Sequence, residues 1–267
     1  MKRIINEQEK VNVILFLVFI GCIGITLLKP IAQNPSYHIF ADSREFVSVP
    51  NFWNVISNVP FLLIGIFGMY YVLYKTKLIL QSLQLNYFIF FTGIFLTGLG
   101  SGYYHLNPNN YTLVWDRLPM TISFMSFFSI IISEFISMRN ARLILFALLF
   151  LGITSVIYWN ISESHGCGDL RLYIAVQFLP IILIPIILLL FKPVGYNASY
   201  LWLVLLMYVL AKTNETFDQQ IFHALKFISG HSLKHIFAAS APLIFLFGIR
   251  QLKMKTAGSK IQNKKTG

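Results

Sequence analysis

Three histidines lie at the ends of long apolar segments, where ionisable side chains are costly and usually mark a working site. His231 and His235 are four positions apart, so on a helix they share a face and can point at one centre. His105 ends another segment and could supply a third imidazole. Three protein ligands plus a water are typical of catalytic zinc, which lowers the pKa of that water to about 7. The alternative is that these are interfacial histidines bonded to backbone or water.

Ser101 and Asp116 are the candidate catalytic residues beside the histidines. Ser101 precedes His105 by four positions and can therefore face the same centre. Asp116 could hydrogen-bond the zinc-activated water and shuttle its proton, and Ser101 could donate to that water or to a developing oxyanion. Two other interpretations stay open. Asp116 could be a helix N-terminal carboxylate or a partner of Arg117, and Ser101 could be a small residue in helix packing.

The composition predicts an all-α integral membrane protein. Of 267 residues, 56% are hydrophobic and only 12% are charged, whereas a soluble domain has about 25% charged residues. The net charge of +11 is dispersed over short loops and a basic C-terminal tail, which indicates a membrane anchor and speaks against nucleic-acid binding. Cys22 and Cys167 lie far apart in the pattern, so neither a disulfide nor a cysteine metal site is predicted.

Eight apolar segments are long enough to span a membrane. The first could be a signal peptide, but its length and the lack of a clean cleavage site favour an uncleaved anchor helix. We therefore predict a cytoplasmic tail and extra helix over residues 1–30, a seven-helix core over 31–250 and a basic cytoplasmic tail over 251–267. The predicted spans are about 12–28, 52–73, 86–105, 118–136, 143–159, 172–191, 200–214 and 231–247.

Basic residues favour one set of alternate loops, although some lie on the opposite side. With eight spans, this pattern predicts that both termini are cytoplasmic. The histidines, Asp116 and the segment before the second span then all fall toward the outer face. The pattern fits a bacterial inner membrane, with the endoplasmic reticulum as the alternative.

The motifs together resemble the CREST superfamily of membrane hydrolases and receptors, and most of all the alkaline ceramidase family, particularly its bacterial members. The resemblance covers about residues 37–241. It rests on the order and spacing of several short motifs: Phe52-Trp53-Asn54, Ser57-Asn58, Gly100-Ser101 to His105, Asp116-Arg117-Leu118-Pro119-Met120, and Gly230-His231 to His235. It implies a seven-helix core, here with one extra N-terminal helix, and a zinc ion held by the three histidines. It also implies hydrolysis of ceramide, a membrane lipid, to a sphingoid base and a fatty acid.

The calcium-binding segment of that family is altered in this chain. Its acidic, tryptophan-containing stretch is replaced by Ala41-Asp42-Ser43-Arg44-Glu45, and Asn51 stands where an acid is expected. Asp42, Glu45 and Asn51 could still offer oxygen ligands to Ca²⁺. Arg44 argues against this, a solvated loop is an equal alternative, and Asp42 could instead support the zinc pocket.

Two further acidic residues and three further histidines fall on the predicted outer side. Glu215 and Asp218 could be partners of the metal histidines or members of a solvated loop. The remaining histidines rank below the chosen three because none has a partner four positions away; they are His38, His165 and His223.

The resemblance leaves a second function open, namely a non-catalytic receptor or haemolysin-III-like membrane protein with the same metal pattern. The predicted outer-face site favours the hydrolase branch. A simpler N-acyl lipid would need the same machinery as ceramide. A transporter is disfavoured because the sequence shows no convincing internal repeat.

Overall fold

The computed structural model describes residues 6–75, 82–192 and 198–265, with side chains up to Gln251. Those residues form helices and connecting loops, with one isolated bridge between Phe46 and Val49. The helices are α1 (Glu7–Leu27), α2 (Phe52–Ile56), α3 (Val59–Lys75), α4 (Gln84–Leu106), α5 (Asn110–Phe135), α6 (Ala141–Ser164), α7 (Arg171–Leu190), α8 (Ser199–Thr216), α9 (Asp218–Leu225) and α10 (Gly230–Lys265).

Seven of the described helical segments are long and apolar enough to cross a membrane. The predicted all-α membrane protein is thus confirmed. The predicted seventh span forms α8, but this 18-residue helix falls outside the seven and carries Lys212 and Glu215. The count of eight spans, the domain bounds and the orientation remain predictions. The seven are Glu7–Leu27, Phe52–Lys75, Gln84–Leu106, Asn110–Phe135, Ala141–Ser164, Arg171–Leu190 and Gly230–Gln251.

Helix α5 is the centre of the bundle. In its most apolar stretch 72% of the residues are buried, against 6% in that of α1. It packs against α4, α6 and α7. The predicted extra N-terminal helix, α1, lies at the periphery and packs mainly against α7. Helix α10 packs mainly against α8. The candidate site residues therefore come from two parts of the bundle, the α4–α5 pair and the start of α10.

Helix α5 begins eight residues earlier than predicted. Asn109 caps it by accepting hydrogen bonds from the backbone N–H groups of Tyr111 and Thr112. Asp116 therefore lies within the helix, where the sequence interpretation placed it before the helix. Pro119 also lies inside α5.

Candidate metal centre

The structure brings the three predicted histidines together. One ligand nitrogen from each of His105, His231 and His235 lies within 4.8 Å of the others, and every pair of ring centroids is 4.9 Å apart. The side chains are buried, with 1%, 6% and 3% of their surface exposed, respectively. Among the described residues, these three form the one group of at least three histidine, cysteine or acidic side chains that is close enough to hold a metal ion.

The donor geometry fits a zinc ion. The Nε2 atoms of His105 and His235 are 3.3 Å apart, and two nitrogens about 2.05 Å from a tetrahedral zinc ion would be separated by about the same distance. His231 Nε2 is buried and has no hydrogen-bond partner among the described residues. Because an unsatisfied buried polar atom is costly, a metal ion would relieve that cost.

The start of α10 is fixed by Asp218. Its Oδ1 accepts a hydrogen bond from the backbone N–H of His231 at 2.7 Å, and its Oδ2 accepts one from the N–H of Ala41 at 3.0 Å. A Cβ at Gly230 would overlap the carbonyl oxygen of Asn214, so this close approach requires glycine. Asp218 thus caps the helix that carries two histidines and does not contact an imidazole.

Ser57 and Asn58 support His235 directly. The Ser57 hydroxyl lies 2.8 Å from His235 Nδ1, and Asn58 Nδ2 lies 3.4 Å from the same atom. With Nδ1 bonded in this way, Nε2 is left to face the other histidines. Asn54 braces the same region by accepting a hydrogen bond from the hydroxyl of Ser232 at 2.8 Å. The motifs that contain Asn54, Ser57 and Asn58 contribute to the family resemblance, but the sequence alone predicts no role for these side chains.

Ser101 lies one turn before His105 on α4, and Asp116 lies on α5, which packs against α4. Both side chains are buried, and the Ser101 side chain interacts with the Asp116 carboxylate. The contact depends on Gly100, because a Cβ there would overlap the carbonyl of Trp115 where α4 and α5 approach each other. The Arg117 side chain instead donates to Gln33.

The remaining predicted histidines lie apart from the centre. His38 bonds the Tyr104 hydroxyl through Nδ1 and Asn110 through Nε2, each at 2.9 Å. His165 is exposed and bonds the carbonyl of Ile161, and His223 is exposed on α9. The first of these ties the loop before α2 to the ends of α4 and α5.

Two of the three residues proposed for calcium bond to other groups of the protein. Asp42 is buried, and both of its carboxylate oxygens accept hydrogen bonds from the Arg44 guanidinium, at 2.8 and 2.7 Å. This contact raises the pKa of Arg44. Asn51 uses its amide to donate to the His105 carbonyl at 2.9 Å. Glu45 is exposed.

Glu215 also has a different role from the two that the sequence suggested. It is 17% exposed and accepts from Lys212 and Lys234 at 2.6 Å each. It is thus paired with two lysines and does not contact a histidine.

An apolar cavity of about 130 Å³ is lined by side chains of α3, α4, α5, α7, α8 and α10. Thr97, one turn before Ser101, lines it, as do aromatic side chains including Phe61, Phe90 and Phe245. This cavity is suited to a hydrocarbon chain.

The fold and the site together define a helical integral membrane protein with a buried candidate metal centre near one end of its bundle. The chain belongs to the Ceramidase family, whose sequence model matches residues 46–266. That match covers every histidine of the cluster, Ser101 and Asp116. Searches of curated proteins and of solved structures each found no match. Family membership implies a hydrolase that acts on the amide bond of ceramide.

Proposed function

We propose that this protein is a zinc-dependent hydrolase that cleaves the amide bond of ceramide, or of a related N-acyl lipid, within the membrane. The products would be a sphingoid base and a fatty acid. The observation that carries the proposal is the convergence of three buried imidazoles next to a buried serine–aspartate pair, in a chain of the Ceramidase family.

His105, His231 and His235 would hold the metal. A bound zinc ion would act as a Lewis acid and supply hydroxide at neutral pH. Asp116 would accept a proton from the attacking water and return it to the leaving amine, because its carboxylate is buried and interacts with Ser101, one turn from His105. The Ser101 hydroxyl would switch its donor to the oxyanion that develops on the amide carbonyl.

The lipid would enter from the bilayer. Its acyl chain would occupy the apolar cavity, which excludes water from the scissile bond. We propose a bacterial inner membrane as the location, with both termini cytoplasmic and the site toward the outer face, on the basis of the loop charges.

The test is zinc content measured together with ceramide hydrolysis, on detergent-purified wild type, His231→Ala and His165→Ala. His165 is a matched control because it is exposed and lies apart from the cluster. We expect about one zinc per chain and fatty-acid release in the wild type and the control, with both lost in His231→Ala.

Two results would contradict the proposal. Wild-type protein without zinc would exclude the metal centre. Zinc without hydrolysis of any N-acyl lipid would exclude the hydrolase and favour a receptor-like or haemolysin-III-like member of the superfamily.

A further inference from the structure

A second cavity, of about 300 Å³, lies next to the apolar one. Met120 and Ala238 line both, so the two are neighbours. The second cavity differs in having charged side chains in its wall. They are Arg117, Lys212, Glu215 and Lys234.

The charges of this wall are unbalanced. Glu215 is the carboxylate between Lys212 and Lys234, with each ammonium nitrogen 2.6 Å from one of its oxygens. Each ammonium has three N–H donors, so these contacts leave further donors on both. Arg117 adds a third cation. Among the side chains that line the cavity, the cations thus outnumber the carboxylates by three to one. Two further carboxylates lie outside the wall: Asp116 interacts with Lys234, and Glu163 accepts a hydrogen bond from the Trp159 ring beside Arg117.

Arg117 is the most deeply placed of these cations. Only 5% of its surface is exposed, and its guanidinium lies 4.2 Å from the Trp159 ring centroid and 4.6 Å from that of Tyr173. Nη2 donates to Gln33 at 2.6 Å, whereas Nη1 has no hydrogen-bond partner among the described residues. A buried charged donor without an acceptor is costly, so a ligand that brings an acceptor would be favoured.

The cavity lies within reach of the reacting centre. Lys234, which lines the cavity, also interacts electrostatically with Asp116 and with the three histidines of the cluster. A lipid that reacts at the histidines can therefore place its hydrocarbon chain in the apolar cavity and its polar head among the cations.

We propose that the charged cavity binds an anionic head group on the amine side of the scissile amide, so that the preferred substrate is an anionic N-acyl lipid, with ceramide a poorer one. The identification of the bound lipid as a substrate rests on the proposed hydrolase function, whereas recognition of the anion does not. Cationic donors in a desolvated pocket favour a carboxylate over a neutral group of similar size.

The test compares the Kd values of three probes for the full-length protein in nanodiscs of zwitterionic lipid. N-Oleoylglycine carries the anion, its methyl ester has the same acyl chain and amide without the charge, and oleate is the free fatty acid. We expect N-oleoylglycine to bind the wild type at least about tenfold more tightly than the ester.

Lys212→Gln should reduce that preference to about threefold or less, because it removes one charge-assisted donor. The variant leaves the Lys234–Glu215 pair in place, so folding should be retained. Arg142→Gln is the matched control: it removes an exposed cation at the other end of the bundle and should leave the preference unchanged.

A wild-type preference near one, or an unchanged preference in Lys212→Gln, would overturn the proposal. Tighter binding of oleate than of N-oleoylglycine would assign the cavity to a fatty-acid carboxylate and would also overturn it. Fatty-acid release in the same nanodiscs separates the two proposals. A retained preference without release contradicts only the hydrolase, and release from ceramide without a preference contradicts only the anion site.

Discussion

Ser57→Ala should weaken zinc binding without removing a metal ligand. The Ser57 hydroxyl lies 2.8 Å from Nδ1 of His235, on the opposite side of the ring from the nitrogen that faces His105. A partner at Nδ1 fixes the tautomer and the ring orientation of a metal-binding histidine. Loss of the hydroxyl frees the imidazole to rotate and lowers its basicity.

The size of the effect follows from the contacts that remain. One hydrogen bond contributes about 0.5–1.5 kcal/mol, which corresponds to a two- to roughly tenfold change in affinity. Partners of metal-binding histidines have larger effects, of about 10- to 100-fold. Asn58 Nδ2 stays 3.4 Å from the same nitrogen and compensates in part. We therefore expect zinc affinity to fall by about tenfold.

The assay is competition for zinc with a chromophoric chelator, on protein whose helical content is checked by circular dichroism. Ser240→Ala is the matched control. Ser240 also lies on α10, which carries His231 and His235, but its hydroxyl bonds the carbonyl of Ile236 on its own helix. A Ser57→Ala affinity within about twofold of the control would refute the reasoning, since it would show that the Nδ1 contact does not support a metal ligand.

Three further predictions concern the supports of the site and its chemistry. Gly230→Ala should destabilise the protein by about 1–3 kcal/mol, because its Cβ overlaps a carbonyl of α8, whereas Gly24→Ala meets open space and should be nearly neutral in the same denaturation assay. Arg171 lowers the pKa of Asp169 to about 2, so this carboxylate should stabilise the fold above pH 4 and lose that contribution as the pH falls toward 2. Asp169→Asn should flatten the thermal stability profile over that interval, and an unchanged profile would contradict the assignment. Asp116→Asn should lower kcat for ceramide by about 10²- to 10⁴-fold while zinc content is retained, and a wild-type kcat would exclude the proton transfer.

The histidine cluster could be predicted from the sequence because it depends on two simple regularities. Residues four apart share a helix face, and the ends of successive spanning helices meet alternately at the same side of the bundle. The start of α5 could not be found in this way. The apolar run begins only at Leu118, after Asp116 and Arg117, whereas the cap is Asn109 and the first two turns of the helix carry polar residues.

The roles of Glu215 and Lys234 depend on contacts that the sequence does not reveal. Their atoms pair at 2.6 Å across 19 positions, between two helices whose relative rotation is set by packing. The sequence predicts Glu215 as a histidine partner or a solvated residue, and the spacing of the histidines gives no indication that Lys234 pairs with it. Its pairing with two lysines is what makes the charged cavity evident.

In the loop before α2, the buried carboxylate of Asp42 is bonded to an arginine of the same loop. Asp42 remains buried, yet both of its oxygens accept from Arg44, whose Nη2 also donates to the carbonyl of Phe227 at 2.9 Å. Ca²⁺ needs six to eight oxygen ligands, and it would have to displace this guanidinium to reach Asp42. Arg44 therefore supplies, within the chain, both a positive charge for the buried carboxylate and a tether to the segment before α10. Because that segment leads directly into His231, the contact helps to position the start of α10.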